Sequence, residues 1–137
     1  MADAGDIVGE DYSVDDKVWT DSGSGVTKGQ VLAFTSGNVV TATATTDGPY
    51  VVAKNTAAAS GDVNIVLKAK IYLTASGAIT KGQSVSAAAA GKVAATSWDL
   101  TTVSTLGANV KRLVGVALTT AADAAVVLVR FEGGVQA

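Results

Sequence analysis

Residues 26–31 read Val-Thr-Lys-Gly-Gln-Val, and residues 79–85 read Ile-Thr-Lys-Gly-Gln-Ser-Val. Each copy is followed by a Gly-x-Val, Gly37-Asn38-Val39 after the first and Gly91-Lys92-Val93 after the second. The two halves also close alike. Val51-Val52-Ala53 leads through an Ala-rich turn with Asp62 into residues 63–68, and Val114-Gly115-Val116-Ala117 leads through one with Asp123 into residues 126–130. Such a repeat predicts two similar β units in one small domain, each burying a thin apolar face against the other.

The sequence around these anchors is consistent with strands. Val and Thr runs are cut every eight to twelve residues or so by Gly, Asn or Asp, the spacing of short antiparallel strands. Both residue types are stiff at χ1 and suit a pleated surface better than a helix. Strands are predicted at 30–34, 39–44, 50–54, 63–68, 70–74, 83–86, 92–95, 113–118 and 125–131. Turns are expected at Ser36-Gly37-Asn38, Asp47-Gly48-Pro49, Ser60-Gly61-Asp62, Ser76-Gly77 and Gly91-Lys92. The runs Ala57–Ala59 and Ala87–Ala90 favour helix by propensity, but each is too short to nucleate one and is closed by glycine. They read as tight loops or small-residue contacts, and a single helical turn near Trp98–Ser104 stays open. The fold expected is all-β: a compact antiparallel β-sandwich or barrel-like domain of two similar units.

Composition sets limits on this domain. The 137 residues carry 10 Lys+Arg against 12 Asp+Glu, for a net charge of −2, and 48% are hydrophobic. Ala (25) and Val (21) make up most of that apolar share, so the core is thin. The seven aromatics, Tyr12, Trp19, Phe34, Tyr50, Tyr72, Trp98 and Phe131, are too scattered for a deep aromatic pocket. There is no Cys and no His, which excludes disulfides and thiolate metal sites and removes the commonest general base and zinc ligand. The stretch Leu113–Val129 is shorter than the roughly 20 residues of a membrane span and holds Asp123; it reads as two strands joined by a turn.

Charge divides the chain. Residues 1–25 hold seven acids (Asp3, Asp6, Glu10, Asp11, Asp15, Asp16, Asp21) and one base, Lys17, leaving +4 for residues 26–137. The acidic segment lacks the basic and apolar runs of a secretory signal and ends in Asp21-Ser22-Gly23-Ser24-Gly25, a linker composition. Residues 1–25 are therefore set apart as an extended acidic N-terminal arm and residues 26–137 as the β-rich domain. The arm is either a solvated terminus or a segment that orders against a partner, with Tyr12, Val14, Val18 and Trp19 as apolar anchors.

No catalytic constellation is evident. A Ser or Thr nucleophile would need Lys or a carboxylate as its base, and no Ser-x-x-Lys occurs. Asp15-Asp16 lacks the Gly-punctuated loop of a calcium site, and Gly23-Ser24-Gly25 lacks the spacing of a phosphate loop. No enzyme activity, cofactor or metal is expected. A pI near 4.8 and the acidic arm oppose nucleic acid as the main ligand.

Three stretches together carry a resemblance: Val26-Thr27-Lys28-Gly29-Gln30-Val31, Ile79-Thr80-Lys81-Gly82-Gln83-Ser84-Val85, and Arg112-Leu113-Val114-Gly115-Val116-Ala117-Leu118 followed by residues 121–131. In this order they resemble the capsid cement or head decoration proteins of tailed bacteriophages, over roughly residues 26–133. The resemblance implies a virion protein on the outer capsid surface, bound to the major capsid protein of the assembled shell. It also implies a homotrimer that clamps adjacent capsomers against internal DNA pressure; the acidic balance and the lack of a membrane-length apolar run predict no nucleic-acid or membrane partner. On that reading the arm, with Trp19, reaches a neighbouring subunit or the shell, and its removal leaves the β body folded. The alternatives are a β-sandwich carbohydrate-binding or adhesin module, which requires exposed aromatics on one face, and another virion part such as a head-fibre or tail-tube subunit.

Overall fold

The repeated Thr-Lys-Gly-Gln motif folds the same way twice. In the computed structural model, which describes residues 2–21, 23–98 and 100–132 and leaves the side chains of residues 10–18 outside the description, each copy is a tight turn stitched by matching bonds. Gln30 N–H donates to Thr27 O at 3.0 Å and Gln83 N–H to Thr80 O at 3.1 Å. The glutamine side chains return the contact, Gln30 Oε1 accepting from Thr27 N and Gln83 Oε1 from Thr80 N, both at 2.8 Å. Lys28 N donates to Thr56 Oγ1 and Lys81 N to Thr120 Oγ1, both at 3.0 Å. Gly29 and Gly82 sit at φ +89° and +94°, where a side chain would be strained. Their N–H groups donate to Ala53 O and Ala117 O. The motif is a clip that ties each copy to the last residue of a later strand, Ala53 in the first unit and Ala117 in the second.

From these clips the chain builds β1 (Ile7–Thr20), β2 (Gly25–Val26), β3 (Val31–Thr35), β4 (Asn38–Thr41), β5 (Tyr50–Ala53), β6 (Ala57–Ala58), β7 (Asp62–Thr74), β8 (Ser84–Ala87), β9 (Val93–Ala95), α1 (Val103–Lys111), β10 (Leu113–Ala117) and β11 (Val126–Phe131). The main sheet runs β4-β3-β5-β7-β11-β10-β8-β9, with β1 added on β7; β2 and β6 form a small second sheet. All strand pairs are antiparallel. The sheet curls into a half-barrel. Read from its two ends the order is the same motif, β4-β3-β5-β7 meeting β9-β8-β10-β11, so the repeat in the sequence is a repeat in space. The hairpin turns correspond too, with Ser36 and Gly37 at φ 48° and 81° and Ala90 and Gly91 at φ 59° and 71°.

Burial distinguishes the two units. In the first, β5 is buried at every residue, because its strands have apolar side chains on both faces. Val31, Ala33, Tyr50, Val52 and Val66 enter a core shared with the second unit. Leu32, Val51, Ala53, Val63 and Ile65 face the other way into a second core. In the second unit β8 alternates half-buried and buried. Its Val85, Ala117, Val127 and Val129 join the shared core. The matched turns align these four with Leu32, Ala53, Val63 and Ile65 of the first unit, so the units stack head to tail and the reverse face of the second unit is open.

Several expectations are corrected here. Residues 63–68 and 70–74 belong to one strand, β7, because the extended backbone continues through Ala69, which pairs with Phe131 on β11. Ala57–Ala58 pair with Gly25–Val26 as a short ladder, and Ala89–Gly91 form a 3-10 turn. The helical turn near Trp98–Ser104 is displaced to a nine-residue helix, Val103–Lys111, whose start is set by Thr102: its Oγ1 accepts from Thr105 N at 3.2 Å. The acidic segment holds a strand, β1, which pairs with β7 from Ile7↔Ile71 to Thr20↔Asp62 with three register shifts. Composition marked it as an arm because an edge strand that must not pair further is rich in charge. The linker expected at Asp21 is anchored: Asp21 is 1% exposed and its N–H donates to Gly61 O at 3.1 Å.

Candidate functional site

Three surfaces are candidates for contact with a partner. The first is β1. Of the anchors expected from sequence, the side chains of Tyr12, Val14 and Val18 lie outside the described residues, although the Val14 backbone pairs with Val66. Trp19 is half-buried against the second core, its ring 5.0 Å from that of Phe34 and tilted by 54°. The start of β1 is tied to the first clip. Asp6 pairs with Lys28 at 3.1 Å, and the Asp3 N–H and then the Lys28 ammonium hold its carboxyl below the usual aspartate range. Asp21 closes the other end, with Oδ2 accepting from Gly25 N at 2.8 Å and Oδ1 without a partner among the described residues. β1 thus contributes Trp19 to the packing of the second core, a contact that removing residues 2–22 would take away.

The second surface is the segment between β9 and β10, the one place where the second unit is much longer than the first. Its twin, residues 42–49, is a short loop with a cis peptide before Pro49. Here α1 buries none of its residues, and Trp98, Leu100 and Val103 are 46%, 76% and 89% exposed. The base of α1 is fastened to the first unit. Gly48 N–H and Tyr50 Oη donate to Lys111 O at 2.9 and 3.5 Å, Tyr50 Oη also reaches Thr46 O, and Arg112 Nε meets Asp47 Oδ1 at 3.3 Å. Burial, reinforced by the Asp47 carboxylate, pushes the Tyr50 phenol up to about 12, so it is a neutral donor at ordinary pH.

The third surface is the open face of the second unit. Directly paired residues share a face, so Val8, Lys70, Arg130, Val116 and Ser84 form one row across β1, β7, β11, β10 and β8. Tyr72 and Leu128 form part of the next. None of these seven is buried. Ser84, Ser86, Val116 and Arg130 occupy the positions that Val31, Ala33, Val52 and Val66 hold in the first unit, where they are buried. This face was missed from sequence, because alternation shows which residues of a strand share a side but not which side a second layer covers.

The aromatics form no row on one face among the described residues. Tyr50 is buried, Tyr72 lies on the open face and Trp98 on the long connection. Among these residues no cluster of His, Cys, Asp or Glu could hold a metal ion, and no helix is long and apolar enough to cross a membrane.

No protein-family model matches the chain, and no curated protein sequence matches it. Among solved structures it is similar to the N base of the head fibre gp8.5 of bacteriophage phi29, with a TM-score of 0.64 over 91% of this chain and 100% of that one, at 17% identity. At that identity the likeness is one of fold.

Proposed function

We propose that this chain is a structural protein of a phage virion that attaches to the outside of the assembled head. The observation that carries the reading is the match of nearly the whole chain to the complete N base of a phage head fibre. The resemblance of the clips and of residues 112–131 to head decoration proteins points to the same part of the virion by an independent route. Two forms of the reading follow: a decoration subunit that cements neighbouring capsomers, and a base that seats a fibre. In both, the partner is the major capsid protein, and three copies acting together convert modest contacts into firm attachment. A rigid, doubly buried first unit with an uncovered second unit suits a passive mechanical part.

The test is the mass of the purified protein in solution by light scattering, followed by sedimentation with empty expanded heads. A trimer that pellets with the heads is the expected result; a monomer left in the supernatant would overturn the reading. Head stability separates the two forms, since a cement raises the temperature at which heads open and a fibre base leaves it unchanged. Deleting residues 2–22 is not a clean probe of the arm, because it also removes Trp19, which packs on the second core. Substituting Leu100→Ser and Val103→Ser is cleaner, since neither side chain is packed.

A further inference from the structure

Among the described residues, the open face of the second unit carries an unbalanced charge. Lys70 and Arg130 stand directly opposite each other on β7 and β11, an arrangement of like charges that weakens a sheet. Lys68 lies two residues away, and all three side chains are exposed. Lys68 and Lys70 form no ion pair among the described residues, and Arg130 has only Glu132, at 3.8 Å and itself 55% exposed. The three bases border a hollow of about 170 Å³ with Ala69 and Phe131. On β1, Glu10 and Asp11 fall between the residues that pair with Lys70 and Lys68, and their side chains lie outside the described residues; Asp6, just before the strand, is engaged by Lys28. Beside the bases lie the half-buried Tyr72, Leu128 and Val116.

We propose that this face is a docking surface for an acidic segment of a partner protein, whose carboxylates meet Lys68, Lys70 and Arg130 while its apolar side chains lie on Tyr72, Leu128 and Val116. Charge complementarity selects the occupant: a partner bearing carboxylates removes the repulsion between Lys70 and Arg130 that the isolated sheet retains. Nucleic acid is disfavoured because the apolar side chains beside the bases have nothing to contact on a phosphate backbone, and the chain as a whole is net negative. The inference rests on the attachment reading only in taking the partner to be a shell protein.

The test follows the backbone amide NMR signals of the full chain as a short peptide of alternating Glu and Val is added, beside a Lys-Val peptide and a duplex DNA. Shifts confined to β7, β10 and β11 with the Glu-Val peptide are expected, weakening as salt rises. Lys70→Glu with Arg130→Glu should weaken binding by about tenfold or more, and Lys70→Gln with Arg130→Gln less so. Shifts on another face, equal binding by the charge-reversed variant once its melt shows it folded, or a stronger response to DNA would each overturn the proposal. Sedimentation with heads is read separately. A charge-reversed variant that pellets as well as the original overturns the assignment of this face to the shell. Failure of the original chain to pellet, with the peptide result intact, supports the acidic-segment site and removes only the attachment reading.

Discussion

The two units share a clip, a hairpin and a strand order, yet the first is buried on both faces and the second on one. The shared part lies in backbone bonds that hardly depend on which side is covered. The difference lies in the side chains of one face, where Val31, Ala33, Val52 and Val66 are matched by Ser84, Ser86, Val116 and Arg130. A duplicated fold therefore need not duplicate its surfaces: head-to-tail stacking makes one unit an interior layer and the other an outer one. Interior layers supply rigidity, and outer layers are free to bind.

The largest break in this comparison is expected at Gly115, whose twin position holds Val51. A Cβ on Gly115 would lie 2.0 Å from the Arg130 carbonyl oxygen. Gly115→Ala must push β10 from β11, with a loss on the order of 4 kcal/mol in urea unfolding. Val51→Ala only opens a cavity and should cost about 2 kcal/mol. Equal midpoints for the two variants would show that the twin strands are not packed as differently as described.

The clips offer a finer contrast. A Cβ on Gly29 would meet the Ala4 carbonyl carbon at 2.5 Å, whereas one on Gly82 meets nothing within 4 Å. Both substitutions carry the left-handed strain of about 1–2 kcal/mol, and only the first adds a clash with the chain before β1. Gly29→Ala should therefore lower the melting temperature markedly more than Gly82→Ala, and the reverse order would contradict the packing of residues 4–5 on the first clip.

Tyr50, whose twin is Val114, adds a pH dependence to the first unit alone. Its phenol is raised from 10.0 to about 12 in the folded protein. The folded state then holds the proton more tightly, so this stabilisation is complete below pH about 10 and is lost as pH rises through about 12, at about 1.4 kcal/mol per unit of displacement. Tyr50→Phe should flatten that alkaline limb of a stability–pH curve; an unchanged limb would place its origin elsewhere.

Much of the fold is legible in the residues. The Thr-Lys-Gly-Gln repeat and the Gly-bounded Val and Thr runs locate β3, β5 and β8 to β11 within a residue or two and β4 within three, because local turn chemistry and alternation act over a few neighbours, while β7 reads as two strands instead of one. β1 was not legible, since its acids look like a solvated terminus and its place depends on β7, some 50 residues later. The head-to-tail order was not legible either. It depends on which of two apolar faces meets which, and Leu32 and Val31 look equally buriable in sequence. The candidate surfaces follow from that order, so the Lys70 and Arg130 pair emerges only once β7 and β11 are neighbours.

The position of β1 has a consequence for how the chain is made. It leaves the ribosome before its partner β7, which is synthesised only after the whole β2–β6 region, so the strand must wait unpaired. A waiting strand invites pairing with the same strand of another nascent chain. Glu10, Asp11, Asp15 and Asp16, clustered in its middle, make that encounter mutually repulsive. The acidity of the N-terminal segment thus protects it during biogenesis, and neutralising those four residues should show first as aggregation during synthesis.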